Sequence, residues 1–212
     1  MEEKKIFLLL FFFFFFLFQL PLGLIMKAAV KNGDAKKLAE LIRQDPGFDV
    51  NIMVQDGDGI TFLHFACNRD SSSAVIPLLL AHPDIDVNAK YEYGKTPFFS
   101  ACLCGRTSCV REMLKDSRVK VNEPTDYGVT PLWRAAYLGR LDVIKCWIIS
   151  GREMDLGTPG DVYTTDAIGA AKQQDKTEVV ALLERFKSDA AKTRSEVRKE
   201  LGINGQYSSY CC

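Results

Sequence analysis

Beyond the first two dozen residues, apolar and polar positions follow a plan that recurs along the chain. A short apolar block with small residues at its centre comes first. After a break, a second apolar block follows at helical spacing. The second blocks run Val75 to Leu80, Val110 to Leu114, Val143 to Ile149 and Val179 to Phe186. Apolar side chains three and four apart predict helices that each bury one stripe. The pattern therefore predicts pairs of short helices separated by turns.

The pairs keep a register. Thr61, Thr96, Thr130 and Thr165 open successive first blocks at spacings of 35, 34 and 35 residues. Each threonine is placed to cap a helix, and Pro97 and Pro131 follow at a first helical position, where the missing N–H costs nothing. Ala66-Cys67, Ala101-Cys102, Ala135-Ala136 and Ala170-Ala171 supply small residues where paired helices approach. Gly105 and Gly139 end their helices, where glycine takes a positive φ at little cost. Val50-Asn51, Val87-Asn88 and Val121-Asn122 close three of the units. A period of 33 to 35 residues built from two short helices and a turn is a solenoid signature, in which no unit can bury its apolar face alone.

These residues resemble ankyrin repeats. The stretches Gly59-Ile60-Thr61-Phe62-Leu63-His64-Phe65-Ala66, Gly94-Lys95-Thr96-Pro97-Phe98-Phe99-Ser100-Ala101 and Gly128-Val129-Thr130-Pro131-Leu132-Trp133-Arg134-Ala135-Ala136 carry the likeness. It implies an all-α solenoid of about five stacked helix-turn-helix units with short hairpin-like fingers. Residues 26–187 are expected to form the repeats. The first unit is a cap marked by Ala29-Val30-Lys31-Asn32-Gly33, and the fifth is degraded. Residues 188–202 read as a C-terminal capping helix, with Val197 and Leu201 four apart for packing, and 203–212 as a tail. Pro77 is tolerable only if its helix begins late, near Ser73.

The N-terminal segment, residues 1–25, stands apart. Ile6 to Phe18 is an unbroken apolar run of 13 residues. Extended to Met26 it reaches roughly 31 Å as a helix, the thickness of a bilayer core. Three readings stay open: a membrane anchor, a secretory signal, and a mis-assigned start with Met26 as the native initiator. The weakly basic leading residues, the lack of an A-x-A-like site, and Pro21 and Gly23, which would weaken a helix where it leaves the membrane, count against both the signal and the anchor.

Composition narrows the function class. Lys plus Arg and Asp plus Glu are both 27, so the net charge is zero. A nucleic-acid partner is therefore not expected, since its affinity would rest on phosphate neutralisation. Seven cysteines without a CxxC pair, and no N-x-S/T sequon, predict buried, reduced thiols and a cytoplasmic location. A membrane-anchored location through residues 6–25 is the alternative. Cys211-Cys212 looks like the twin-cysteine ends that carry lipid, but no polybasic run supports it.

Candidate chemistry is sparse. His64 and Cys67 are three apart on one predicted helix, as half a metal site or a Cys–His pair would be. The resemblance instead gives His64 structural hydrogen bonds to neighbouring backbone. Cys102, Cys104 and Cys109 fit no zinc spacing. Asp56-Gly57-Asp58-Gly59 lacks both the P-loop lysine and the length of an EF-hand. No catalytic residue, cofactor or metal is expected, and the chain is not read as an enzyme.

What remains is a surface. In ankyrin domains partners contact the finger tips and the exposed side of each first helix. By motif position this selects Asp58, Ile60, Asn68 and Arg69 in the second unit. It selects Glu92, Tyr93, Lys95, Leu103 and Cys104 in the third, and Asp126, Tyr127, Val129, Tyr137 and Leu138 in the fourth. Tyrosines carry much of the energy at interfaces. Alternatively, Tyr91, Tyr93 and Tyr127 only pack against adjacent fingers. The expectation is a monomer that binds a protein on its concave face, as adaptor or scaffold. A membrane-tethered adaptor is the second reading.

Overall fold

The computed structural model describes residues 22–53, 59–157 and 165–203. Among the described residues eleven α-helices form five successive pairs plus a final helix. Residues 22–32 (α1) and Ala35–Gln44 (α2) form the first unit. Phe62–Cys67 (α3) and Ile76–Leu80 (α4) form the second. Pro97–Cys104 (α5) with Thr107–Lys115 (α6), and Pro131–Tyr137 (α7) with Leu141–Ser150 (α8), form the third and fourth. Ala167–Gln173 (α9) and Thr177–Ser188 (α10) form the fifth, and Ala190–Glu200 (α11) follows. First helices pack on first helices and second on second, in two layers.

The caps explain the register. Thr96 and Thr130 each accept from the backbone N–H three residues on, at 3.1 Å. The fifth unit departs from the sequence expectation. Asp166, not Thr165, caps α9, accepting from Gly169 N–H at 2.7 Å. The caps therefore fall at 61, 96, 130 and 166, and a carboxylate does the work of the threonine hydroxyl. The second unit departs too. Its second helix begins at Ile76, later than Ser73, after a 3₁₀ turn over Asp70–Val75. Pro77 then sits in the first turn of α4, where no helical N–H is lost. In that turn the buried Ser72 hydroxyl donates to the Val30 carbonyl at 2.7 Å.

Small residues let the layers close: Ala66, Ala101, Ala135 and Ala171 are fully buried. Below them Trp147 lies edge-on to Phe98, centroids 5.0 Å apart, in one continuous core. The valine-asparagine pairs are staples. Asn88 donates to the Arg118 carbonyl at 2.9 Å and accepts from Lys120 N–H at 2.8 Å. Asn51 does the same with Asp84 and Asp86. At the C-terminal end α11 covers α8 and α10. Arg194 and Arg198 donate to the Ile148 and Ile149 carbonyls at 2.9 and 3.1 Å. Thr193 and Val197, not Val197 and Leu201, turn inward; Leu201 is 46% exposed.

Among the described residues the fingers contribute only isolated bridges, Met53 to Thr61 and Tyr91 to Lys95. No helix among the described residues is long and apolar enough to cross a membrane, and the run from Ile6 to Phe18 lies outside them.

Candidate partner-binding surface

The fingers of the third and fourth units stand side by side. Tyr91 N–H and Lys95 carbonyl pair at 3.1 Å, which closes the third finger. Between them Tyr93 and Gly94 both take left-handed backbone, at φ 62° and 73°. Glycine does this freely; tyrosine is strained there. The Tyr93 carbonyl accepts from Asp126 N–H at 3.0 Å, which ties the two fingers together. A side chain at Gly94 would run into Asp126. This clamp sets Tyr93 beside Tyr127, centroids 5.6 Å apart and tilted by 38°. The two residues are 49% and 51% exposed, so they pack on each other and still face water.

Around this pair the predicted residues divide. Lys95 holds its ammonium 5.3 Å from the Tyr91 ring and 5.1 Å from the Tyr93 ring, with Glu92 at 3.8 Å. Glu92 and Asp126, each next in sequence to one of the two tyrosines, are exposed. The nearby negative charge of Glu92 raises the Tyr93 phenol above its ordinary range. Tyr91 is half-buried and lies edge-on to His64 of α3 at 4.8 Å. Tyr137 is half-buried and stacks on Trp133 at 5.2 Å and 13°; Leu103 packs against the same small cluster. Val129 differs from expectation. It is 4% exposed, held with Phe99, Trp133 and Ala170, because its alternate neighbours on the finger take the outward positions. It supports the surface from beneath and cannot contact a partner.

Ile60, Asn68, Cys104 and Leu138 are half-buried, and Arg69 is exposed with its guanidinium 5.0 Å over Phe65. The Cys104 thiol points to Asn68 Oδ1 at 3.6 Å. Asp58 lies outside the described residues. Sequence reading missed Arg106, Arg134 and Arg140 on the same side. The signal was present: Arg106 and Arg140 each lie ten residues after their capping threonine.

The candidate reactive groups have structural work. His64 is fully buried with both ring nitrogens engaged. Nδ1 lies 3.3 Å from Thr61 N–H and 3.0 Å from its hydroxyl, and Nε2 lies 3.1 Å from the Lys95 carbonyl. These partners fit a neutral ring that donates from Nε2. Burial lowers its pKa to about 4, which suits neither a physiological base nor a switch. Burial also pushes the Cys67 and Cys102 thiols well up, and Cys109 to about 12, so they hold no reactive thiolate. All five cysteines among the described residues are free thiols, and no group of metal-binding side chains gathers there.

Comparison with known proteins agrees with this geometry. A family model described as ankyrin repeats, in three copies, matches residues 25–123 and 71–158. SMC5-SMC6 complex localization factor protein 1 is similar over 57 residues, at 46% identity in Bos taurus and Homo sapiens and 42% in Mus musculus. That stretch is 27% of this chain and 5% of each relative.

Proposed function

The chain belongs to the ankyrin repeat family, and on that premise we propose that it is a non-enzymatic adaptor that binds a protein partner on its concave face. The observation that carries this is the Tyr93–Tyr127 pair, two half-exposed rings held by a strained finger against a fixed neighbour. Rigid aromatics at low entropic cost, bounded by the charged Glu92 and Asp126, have the make-up of an interface centre and its rim. The localization factors share only a short stretch with this chain. That likeness supports an interaction role and brings no named complex with it. Free, buried thiols favour a reducing compartment. The same module tethered through residues 6–25 is the alternative, and it rests on the apolar run alone.

The test is affinity capture with the full chain, followed by quantitative binding of the recovered partner. Tyr93→Ala, Tyr127→Ala and Tyr137→Ala should each weaken it by about 1–3 kcal/mol, or roughly 5- to 150-fold. Arg111→Ala and Glu178→Ala, at exposed positions on second helices, should leave it intact. The reverse pattern overturns the assignment.

A further inference from the structure

We propose that the row of cations at the helix turns of the third to fifth units takes an acidic segment of its protein partner, with partner carboxylates seated on Arg140 and its neighbours. This rests on the concave-face reading and adds the partner's chemistry.

Carboxylates are sorted between the layers. None of the five first helices contains an aspartate or glutamate, yet they carry Lys31, Arg134 and Lys172 among their bases. The second helices carry Glu40, Glu112, Asp142, Glu178 and Glu184 beside eight lysines and arginines. What sets the first helices apart is their lack of carboxylates, so their bases have no acid on their own helix.

At the turns between first and second helices three further cations stand in register, each as the N-cap of a second helix. Arg106, Arg140 and Lys176 each lie ten residues after the caps Thr96, Thr130 and Asp166. Each lies against the preceding unit. Arg106 Nε donates to the Asn68 carbonyl and Arg140 Nε to the Leu103 carbonyl, both at 3.2 Å. The Lys176 stem lies over Gly139.

Arg106 shows what such a side chain does next. With Nε on a carbonyl, its terminal nitrogen reaches the Asp70 carboxylate at 3.0 Å. Arg140 has the first half of this arrangement only. Among the described residues no carboxylate lies within ion-pair distance of Arg140, Lys176 or Arg134. A partner carboxylate on Arg140 would repeat the Asp70 contact one unit further along. Arg134 adds to the deficit. Its Nε is sealed from solvent without an acceptor, and its guanidinium lies 5.9 Å from both the Trp133 and Tyr137 rings. A planar guanidinium of this kind recognises carboxylates through its outer N–H groups.

The spacing suits an extended chain. Neighbouring helices sit roughly 8–10 Å apart, and an extended peptide rises about 3.3 Å per residue. Every third residue of the partner therefore meets the next cation. Nucleic acid fits less well, because Glu92 and Asp126 stand exposed at the finger tips and would repel a phosphate backbone.

The experiment pans the full chain against displayed random dodecapeptides. The expected outcome is enrichment of aspartate and glutamate three residues apart. The best acidic peptide should bind about tenfold more weakly to Arg140→Gln, recover only part of that with Arg140→Lys, which keeps the charge and loses the fork, and weaken as salt rises. If Arg140→Gln melts early, Arg134→Gln is read in its place, since that Nε has no acceptor to lose. Neutral or basic peptides whose binding falls with Tyr93→Ala would overturn this inference and leave the interaction reading standing. Peptides indifferent to both tyrosine and arginine variants would overturn both. A single-stranded oligonucleotide that displaces the acidic peptide and binds more tightly would assign the row of cations to nucleic acid instead.

Discussion

The indole Nε1 of Trp133 donates to the Thr165 carbonyl at 3.0 Å, across the boundary between the fourth and fifth units. It repeats the bond that His64 makes to Lys95 between the second and third units. Phe99 holds the corresponding place in the third unit. It has no ring donor, and its side chain goes into the cluster with Val129 and Trp133. Trp133→Phe keeps a ring against Tyr137 but removes the donor together with part of the buried indole. It should cost at least about 1 kcal/mol, the net value of one hydrogen bond, plus the lost packing. Urea denaturation measures it, and an unchanged midpoint would show that the bond contributes nothing.

Asn88 makes two bonds across its boundary, to Arg118 and from Lys120. Asn88→Ala removes both and should cost about 1–2 kcal/mol. Asn88→Asp keeps the acceptor and should cost less. Hydrogen exchange gives the sharper reading. The Lys120 amide should exchange faster in Asn88→Ala and stay protected in Asn88→Asp.

The pKa of His64 dictates an acid sensitivity. Its folded value, about 4, lies below the ordinary 6.5 because burial disfavours the charged ring. Between these values the unfolded chain binds a proton that the fold refuses. Stability is therefore complete above pH 6.5, falls as the pH drops toward 4, and loses nothing further from this group below that. The loss is on the order of 3 kcal/mol for a shift of this size. Carboxylates titrate in part of the same range, so the comparison is with His64→Gln, whose stability should fall less steeply over pH 6.5 to 4. Identical slopes would refute the buried-neutral assignment.

Much of this was legible from residue types. The threonine caps, the glycine stops at Gly105 and Gly139 and the alanine contacts follow from local chemistry that tolerates few alternatives. The misses share a cause. Asp166 shifts the fifth cap by one residue because either Thr165 or Asp166 has the chemistry to cap, and packing chose between them. Leu201 and Val197 are equally apolar, but the docking angle of α11 on α8 turned Thr193 inward instead. Val129 looks like a finger-tip contact in one dimension, and only the neighbouring unit reveals that it is covered. The arginine register went unread because each arginine, taken alone, is an ordinary surface charge.

Tyr93 separates stability from binding. A tyrosine at φ 62° costs about 1–2 kcal/mol relative to a relaxed backbone. Strain of this kind persists only where the surroundings hold it, here through the Asp126 bond and the neighbouring Gly94. Glycine adopts the same backbone without strain. Tyr93→Gly therefore relieves that cost while losing the Tyr127 ring contact and the Lys95 cation–π contact. These terms are of similar size, about 0.5–1.5 kcal/mol for an aromatic pair, so the variant should match the parent in stability to within about 1 kcal/mol. Its partner binding should nonetheless fall by the 1–3 kcal/mol of a central interface tyrosine. Thermal unfolding and partner titration on one preparation read both quantities. A variant that binds at full strength and is clearly more stable would mark the strain as a feature of the finger alone. One that is unchanged in stability but binds weakly would show that the strained backbone serves to present the ring.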